Sequence, residues 1–215
     1  MIDLNSYKNI LFAIGDPAGA KALLSIIYLN KNKIKKFDII SDKFYSFHKN
    51  FNLKINYINK LSDLKISDFD LVVAGTSLPV GIELKVLKTA KEASIESIAF
   101  VDNHTNFEER FVQDNNLIYP RKFFVTDLIS KNEALFLGID KKNIVIHENP
   151  YHDYLKLWKP VYKKMQFLNN ISKSKSIKNY ILYAPEPFSK FNLKAKYGFD
   201  EIDGLILISE ILKKH

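Results

Sequence analysis

Apolar residues along this chain fall into short continuous runs that alternate with segments of helical spacing. The most continuous runs cover residues 9–14, 70–74 and 96–101, as expected for strands that are covered on both faces of a sheet. Residues 20–29 and 79–93 place apolar side chains three and four positions apart, as an amphipathic helix does. Strands alternating with helices of this length predict βαβ units and a mostly parallel sheet.

The same alternation continues through the rest of the first 168 residues. Further strands are predicted for residues 37–41, 53–58, 123–126 and 143–147. Further helices are predicted for residues 127–137, with Asp127 as N-cap and Gly138 as C-cap, and for residues 151–168, while residues 43–50 predict a short helix or a turn. The predicted fold class is α/β, a Rossmann-like parallel sheet with helices on both faces.

A polar segment interrupts this pattern near the C-terminal end. Residues 169–179 are rich in serine and lysine and have no apolar period, which is typical of a linker. Residues 180–184 then predict a buried strand, and residues 200–213 predict a largely apolar helix. We therefore expect a domain over residues 1–168, a linker, and a strand–helix extension over residues 180–215. One strand and one helix cannot enclose a core, so the extension either packs on the first domain or on a second copy of the chain, or begins a second domain that stays incomplete.

Composition and charge narrow the class of function. The 215 residues include no cysteine, which excludes disulfides, thiolate chemistry and cysteine-ligated zinc. The formal net charge is +8, but of the 32 basic residues only Arg110 and Arg121 are arginine, the usual reader of base edges and phosphates. We interpret the scattered lysines as a solvated surface and expect no nucleic-acid partner. Weak attraction to anionic substrates, or peripheral contact with an anionic membrane, stays open.

Targeting and metal signals are weak. No apolar run is long enough for a membrane span, and the first residues lack the order of a signal peptide, so a cytoplasmic location is expected. His104, His147 and His152 do not have the spacing of a metal-binding pair, and we expect no metal.

The first strand leads into a glycine-rich turn, Gly15-Asp-Pro-Ala-Gly19. Such a turn before a helix directs backbone N–H groups into the space above the sheet edge, where doubly wound proteins bind ligands. The pattern is not G-x-G-x-x-G, and an acidic residue followed by proline makes a poor pyrophosphate cradle, so we do not expect a bound NAD. Alternatively, Gly15 and Gly19 serve only the turn and a close contact between helix and sheet.

Polar residues follow the other predicted strands. Asp102 and His104 could form a general-base pair, or a turn cap and an ordinary loop histidine. Arg110 could bind an anionic substrate or pair with Glu108 or Glu109 at the surface. The remaining candidates at strand ends are Gly75, Thr76 and Ser77, which could seat a phosphate or a sugar hydroxyl or cap a helix, and Asn106, Asn149, Tyr151 and Glu186.

Several of these segments occur in an order that resembles a known family. These segments are similar to parts of bacterial GT-B-like glycosyltransferases of surface-polysaccharide synthesis, relatives of the UDP-N-acetylglucosamine 2-epimerase superfamily. They are residues 10–20 (ILFAIGDPAGA), 74–77 (AGTS), 98–102 (IAFVD) with 106–107 (NF) and 110–111 (RF), and 149–151 (NPY). The resemblance covers about residues 9–154 and implies the N-terminal, acceptor-side Rossmann-like domain of a GT-B fold. The family usually has Gly-Asn-Pro before the interdomain helix, whereas this chain has Glu148 in place of the glycine.

The resemblance implies transfer of a sugar from a nucleotide-sugar donor to a carbohydrate acceptor, with the donor site mainly in a second domain. We therefore expect the chain to be inactive alone and to need no cofactor. The residues to which these roles are assigned are Asp16, Asp102 and His104 for catalysis, and Gly15, Gly19, Gly75, Thr76, Ser77, Asn106, Arg110, Asn149, Tyr151 and Glu186 for substrate binding. A homodimer through residues 180–215 is also possible. The alternative is a non-catalytic Rossmann-like module that binds a ligand or a partner chain.

Overall fold

A computed structural model describes residues 3–43, 51–159 and 181–213. The chain divides into two compact units, Met1–Lys159 and Pro160–His215, which we describe separately. The predicted boundary after residue 168 and the predicted linker over residues 169–179 lie outside the described residues.

Strands of the first unit form a parallel sheet, as predicted. Within the described residues the strands are β1 (Asn9–Ala13), β2 (Lys36–Ile40), β3 (Tyr57–Ile58), β4 (Leu71–Ala74), β5 (Glu96–Val101), β6 (Val112–Gln113), β7 (Asn116–Leu117), β8 (Lys122–Val125) and β9 (Ile144–Ile146). Seven of these pair in the order β3-β2-β1-β4-β5-β8-β9, and every neighbouring pair is parallel. Strands β2 and β3 are added on one side of β1, whereas β4, β5, β8 and β9 are added on its other side. The strand order therefore reverses between β1 and β4.

Helices cover both faces of this sheet. They are α1 (Pro17–Leu29), α2 (Ile82–Glu92), α3 (Leu128–Phe136) and α4 (Pro150–Leu157). Alternate residues of one strand enter different cores: Ile10 and Phe12 lie in the core that includes residues of α1 and α4, whereas Leu11 and Ala13 lie in the core that includes residues of α2. This two-sided burial is the physical reason for the continuous apolar runs, and it confirms the Rossmann-like α/β class.

Several elements differ from the sequence-based prediction. The strand predicted for residues 53–58 forms only at Tyr57–Ile58. Helix α1 begins at Pro17 rather than at residue 20, because Asp16 caps it and proline is tolerated at a first helical position. Helix α4 ends at Leu157 rather than near residue 168, and Trp158 is extended. Pro160 explains this end, since proline lacks an N–H and disfavours helical geometry in the residue before it. A short antiparallel hairpin, β6–β7, was also not predicted.

The second unit is described from residue 181 onward. Residues 181–187 have no regular secondary structure, so the strand predicted for residues 180–184 does not form over its described part. A strand needs a neighbour to pair with, and no other strand occurs in the described part of this unit. Two helices follow, α5 (Lys194–Tyr197) and α6 (Glu201–Lys213), and the second agrees with the helix predicted for residues 200–213.

Apolar side chains of α6 are widely exposed. Those at least 49% exposed are Ile202, Leu205, Ile206, Leu207, Ile211 and Leu212. None of the helices in the described ranges combines the length and apolar character that crossing a bilayer would require.

The N-cap of α3 makes a first testable prediction. The Asp127 carboxylate accepts a 2.7 Å hydrogen bond from the backbone N–H of Ser130, which holds the pKa of that carboxyl below its usual value. Replacing Asp127 with alanine should lower the free energy of unfolding by about 1 kcal/mol near neutral pH. Because the ionised carboxylate is a stronger acceptor than the neutral acid, part of its contribution is present above pH 3.8 and is lost as pH falls through the lowered pKa.

Denaturant unfolding of the wild-type and Asp127→Ala proteins at neutral and at acidic pH measures this effect. Asp114→Asn is a suitable control, because Asp114 is exposed and adopts a left-handed conformation that asparagine tolerates well. A difference between wild type and Asp127→Ala that stayed constant down to the acid limit would contradict the assignment of Asp127 as a charged cap.

Candidate functional site

Candidate residues collect at the carboxyl edge of the sheet, on either side of the point where the strand order reverses. The turns after β1, β4 and β5 meet there, and open parallel sheets bind ligands at this position. The predicted residues Gly15, Asp16, Gly75, Thr76 and Asp102 belong to these turns.

The turn after β1 leads directly into α1. Asp16 is the N-cap, and its Oδ1 accepts a 2.6 Å hydrogen bond from the N–H of Gly19. One oxygen of a predicted catalytic carboxylate is therefore occupied by the helix. Gly19 allows a close approach to the turn after β4, since a Cβ added to Gly75 would lie 3.3 Å from the Gly19 Cα.

In the turn after β4, both hydroxyl side chains donate hydrogen bonds to groups inside the fold. The Thr76 Oγ1 donates to the carbonyl of Phe100 at 3.2 Å, and the Ser77 Oγ donates to Glu83 Oε2 at 3.0 Å. Both residues are buried, so their hydroxyls hold β4 to β5 and to the first turn of α2. They do not cap α2, whose N-cap is Gly81.

A partly buried ion pair lies in the segment after β5, and its arginine also binds the turn after β4. Arg110 Nη1 lies 3.2 Å from Asp102 Oδ1, and the two side chains are 9% and 19% exposed. The same Nη1 donates to the Thr76 carbonyl and lies 3.4 Å from Thr76 Oγ1, while Arg110 Nε donates to the Thr105 carbonyl at 3.2 Å. Arg110 therefore pairs with Asp102, not with Glu108 or Glu109.

Two aromatic anchors position this arginine. Phe107 and Phe111 are buried on either side of Arg110, and the Phe111 ring lies 5.2 Å from that of Phe123 in β8. A short 3-10 turn, Glu109–Phe111, connects the anchors and turns the guanidinium toward Thr76.

Burial and the neighbouring Arg110 charge have opposite effects on the pKa of the Asp102 carboxyl. Burial raises the pKa of this carboxyl above its usual value, the Arg110 charge acts in the opposite direction, and the Asp16 charge raises it further. A carboxyl whose pKa is raised in this way is better suited to proton transfer near neutral pH than an exposed one.

Sequence reasoning did not identify Glu83, whose side chain lies among the same turns. Glu83 is 2% exposed, and burial raises the pKa of its carboxyl. Its position two residues into a helix is an ordinary place for an acidic residue, so the sequence carries no signal of its burial.

Other predicted residues lie apart from this cluster or have local roles. His104 is exposed and lies near Asp127 rather than hydrogen bonded to Asp102. Asn106 is exposed in a left-handed conformation, and the Asn149 Oδ1 caps α4 by accepting from the Tyr151 N–H at 3.0 Å. The Lys21 ammonium lies 5.5 Å from the centre of the half-buried Tyr151 ring.

Glu186, the last predicted residue, belongs to the second unit. There it lines a small cavity with Phe188, Phe199 and Glu201. Among the described residues, no group of three or more histidine and acidic side chains has a geometry that could hold a metal ion.

Comparisons with known proteins support the fold. MnaA of S. aureus, solved together with UDP, aligns with a TM-score of 0.55 at 13% identity, covering 72% of this chain and 48% of MnaA. A Listeria monocytogenes protein provisionally named UDP-N-acetylglucosamine 2-epimerase aligns with a TM-score of 0.57 at 12% identity, covering 76% of this chain and 50% of its own.

The chain thus spans about half the length of these structures, and at such identities the likeness establishes the fold alone. The second of them carries the name of the superfamily that the sequence resembles. No family model and no curated protein matches the chain.

Proposed function

We propose that the chain is the acceptor-side half of a GT-B-like protein that transfers a sugar from a nucleotide-sugar donor, in the synthesis of a cell-surface polysaccharide. The observation that carries the proposal is the partly buried Asp102–Arg110 pair, held against Thr76 at the reversal point of a fold shared with a UDP-bound structure. A carboxylate and a guanidinium at this edge can bind hydroxyl groups and anionic oxygens, respectively.

In this proposal Asp102 is the acceptor-side base. Its raised pKa favours proton uptake, and Arg110 holds one of its carboxylate oxygens in an ion pair. Asp16 lies close enough for its charge to act on Asp102, so it is the second candidate base, whereas His104 has no contact with either carboxylate among the hydrogen bonds of the described residues.

The donor would bind mainly to a second Rossmann-like domain. The chain spans about half the length of the solved structures that it matches, which supports this division of labour. The exposed apolar side chains of α6 offer a surface for such a domain, or for a second copy of the chain. We therefore expect no sugar transfer by the chain alone, because the donor diphosphate would lack most of its partners.

A second candidate function is a non-catalytic module that binds a ligand or a partner chain. The inward hydrogen bonds of Thr76, Ser77 and Arg110 favour it, because groups that are occupied inside the fold are not available to a substrate.

A binding experiment and a transfer assay test the first proposal. Amide resonances of Thr76, Asp102 and Arg110 should move saturably when a free acceptor sugar is added, because these residues lie on the acceptor side. With a donor-side domain supplied on a second chain, transfer should appear and should fall about 100-fold or more in Asp102→Asn, because a general base contributes that much. Asp114→Asn is the control, since Asp114 is exposed in the β6–β7 turn.

Each outcome separates the alternatives. Turnover by the chain alone would contradict the division into halves. Equal transfer rates in Asp102→Asn, Asp16→Asn and wild type would remove both carboxylates from the mechanism. Binding without transfer under all conditions would favour the non-catalytic module.

A further inference from the structure

The carboxyl group of Glu83 is enclosed by the two turns that carry the candidate site. Glu83 is the second residue of α2, is 2% exposed, and lines a small pocket with Gly75, Ser77 and Arg110. None of the proposed catalytic steps uses it.

Glycine residues make this enclosure possible. A Cβ added to Gly15 would lie 1.9 Å from Glu83 Oε2, and one added to Gly81 would lie 2.5 Å from the same oxygen. A Cβ at Gly75 would lie 3.6 Å from Oε1. The turns after β1 and β4 therefore reach the carboxyl because these positions carry no side chain.

Only one of the two carboxyl oxygens of Glu83 accepts a side-chain hydrogen bond. Oε2 accepts from the Ser77 hydroxyl at 3.0 Å, whereas Oε1 is buried and has no hydrogen-bond partner. The backbone N–H groups of Gly15 and of Glu83 itself act on the carboxyl and lower its pKa, but burial dominates and raises it. A buried carboxylate with one unpaired oxygen is costly, so the neutral acid is favoured more than in water.

Charged groups approach this carboxyl from several elements. Asp16 at the start of α1 repels it and raises its pKa, and Arg110 lines the same space from the turn after β5. Lys43, which follows β2, donates from Nζ to the Gly15 carbonyl at 3.3 Å and so holds the other side of the β1 turn.

We propose that Glu83 is a positioning residue that ties the turn after β1 to the turn after β4 and so sets the spacing of Asp16, Thr76 and Asp102 at the sheet edge. The tie runs from the Gly15 backbone, which lies against the carboxyl, through Oε2 to the Ser77 hydroxyl. The effect of Glu83 on the binding of a UDP-sugar rests on the proposed function, but its effect on the positions of the two turns does not.

A methionine would fill a similar volume without burying a polar group. What the carboxyl adds is an acceptor for Ser77 and a proton-dependent charge beneath Gly15. Glutamine keeps the acceptor and removes the charge, so the pair Glu83→Gln and Glu83→Met separates the hydrogen bond from simple space filling. Glu92→Gln is the matched control, because Glu92 is exposed at the other end of the same helix.

The first measurement follows backbone amide resonances by NMR between about pH 4 and pH 8, the range around the ordinary glutamate pKa and above it. In wild type and Glu92→Gln, the amides of Gly15, Ser77 and Gly81 should titrate together, with an apparent pKa above that of an exposed glutamate. In Glu83→Gln this common titration should vanish. In Glu83→Met the same amides should be displaced at every pH.

The second measurement is the affinity for UDP-N-acetylglucosamine when the donor-side domain is supplied on a second chain. Glu83→Met should bind about five-fold more weakly than wild type, the loss that corresponds to one hydrogen bond, and glutamine should restore most of it. Amides of the two turns that titrate identically in wild type and Glu83→Gln, and keep their positions in Glu83→Met, would overturn the proposal. If wild type with the donor-side domain does not bind the UDP-sugar, the proposed function fails while the amide measurement still decides the role of Glu83.

Discussion

Replacing Arg110 with methionine is expected to lower the free energy of unfolding by about 3 kcal/mol near neutral pH. The substitution leaves the Asp102 carboxylate, 19% exposed, without its cation, and it removes the donor to the Thr76 carbonyl. Breaking a buried ion pair by removing one partner is costly because the other charge stays behind, unpaired. Denaturant unfolding at equilibrium measures the change.

The loss should depend on pH in a defined direction. Burial already raises the pKa of Asp102, and without Arg110 that pKa should rise further. A carboxyl whose pKa is raised by folding stabilises the folded protein below its pKa in the unfolded chain, and this contribution is lost as pH rises through its pKa in the folded protein. The loss of stability caused by Arg110→Met should therefore become smaller as pH is lowered. Arg121→Met, at an exposed position, is the control and should change stability by less than about 1 kcal/mol. An equal deficit at acidic and neutral pH would show that lost packing, not the unpaired Asp102, is responsible.

Continuous apolar runs made the sheet predictable. Strands β1, β4 and β5 are buried on both faces, so almost every side chain in them is apolar and periodicity is not needed to find them. Element ends were harder to predict. Asp16-Pro17 was interpreted as part of a turn, although an N-cap followed by proline also begins a helix, and Pro160 was overlooked as the signal that ends α4.

The candidate site was predictable only as far as topology determines it. Residues that directly follow parallel strands meet at one edge, so Asp16, Thr76 and Asp102 could be grouped from the sequence. Partners that depend on loop geometry could not. Arg110 reaches Asp102 because two aromatic anchors turn the loop inward, and Glu83 is buried because glycines in other segments make room for it.

Replacing Gly15 with alanine is expected to lower the free energy of unfolding by about 2 kcal/mol, because the new methyl group would overlap the Glu83 carboxyl. A flexible glutamate at the surface would move aside at little cost. Glu83 is enclosed, and moving it would break the hydrogen bond from Ser77. Gly75→Ala is the graded comparison, since its nearest contact would be 3.3 Å rather than 1.9 Å, and it should cost less.

The Glu83→Ala background identifies the cause of the Gly15→Ala effect. With the carboxyl removed, the added methyl group has space, so the cost of Gly15→Ala should fall by about 1 kcal/mol or more in a double-mutant cycle. Unfolding of the four proteins in the same denaturant series gives this coupling. If Gly15→Ala costs the same in both backgrounds, the contact between Glu83 and the β1 turn does not constrain residue 15. If the cost falls as expected, the carboxyl and the turn form one unit, and any substitution that moves Glu83 will also move Asp16 at the edge of the sheet.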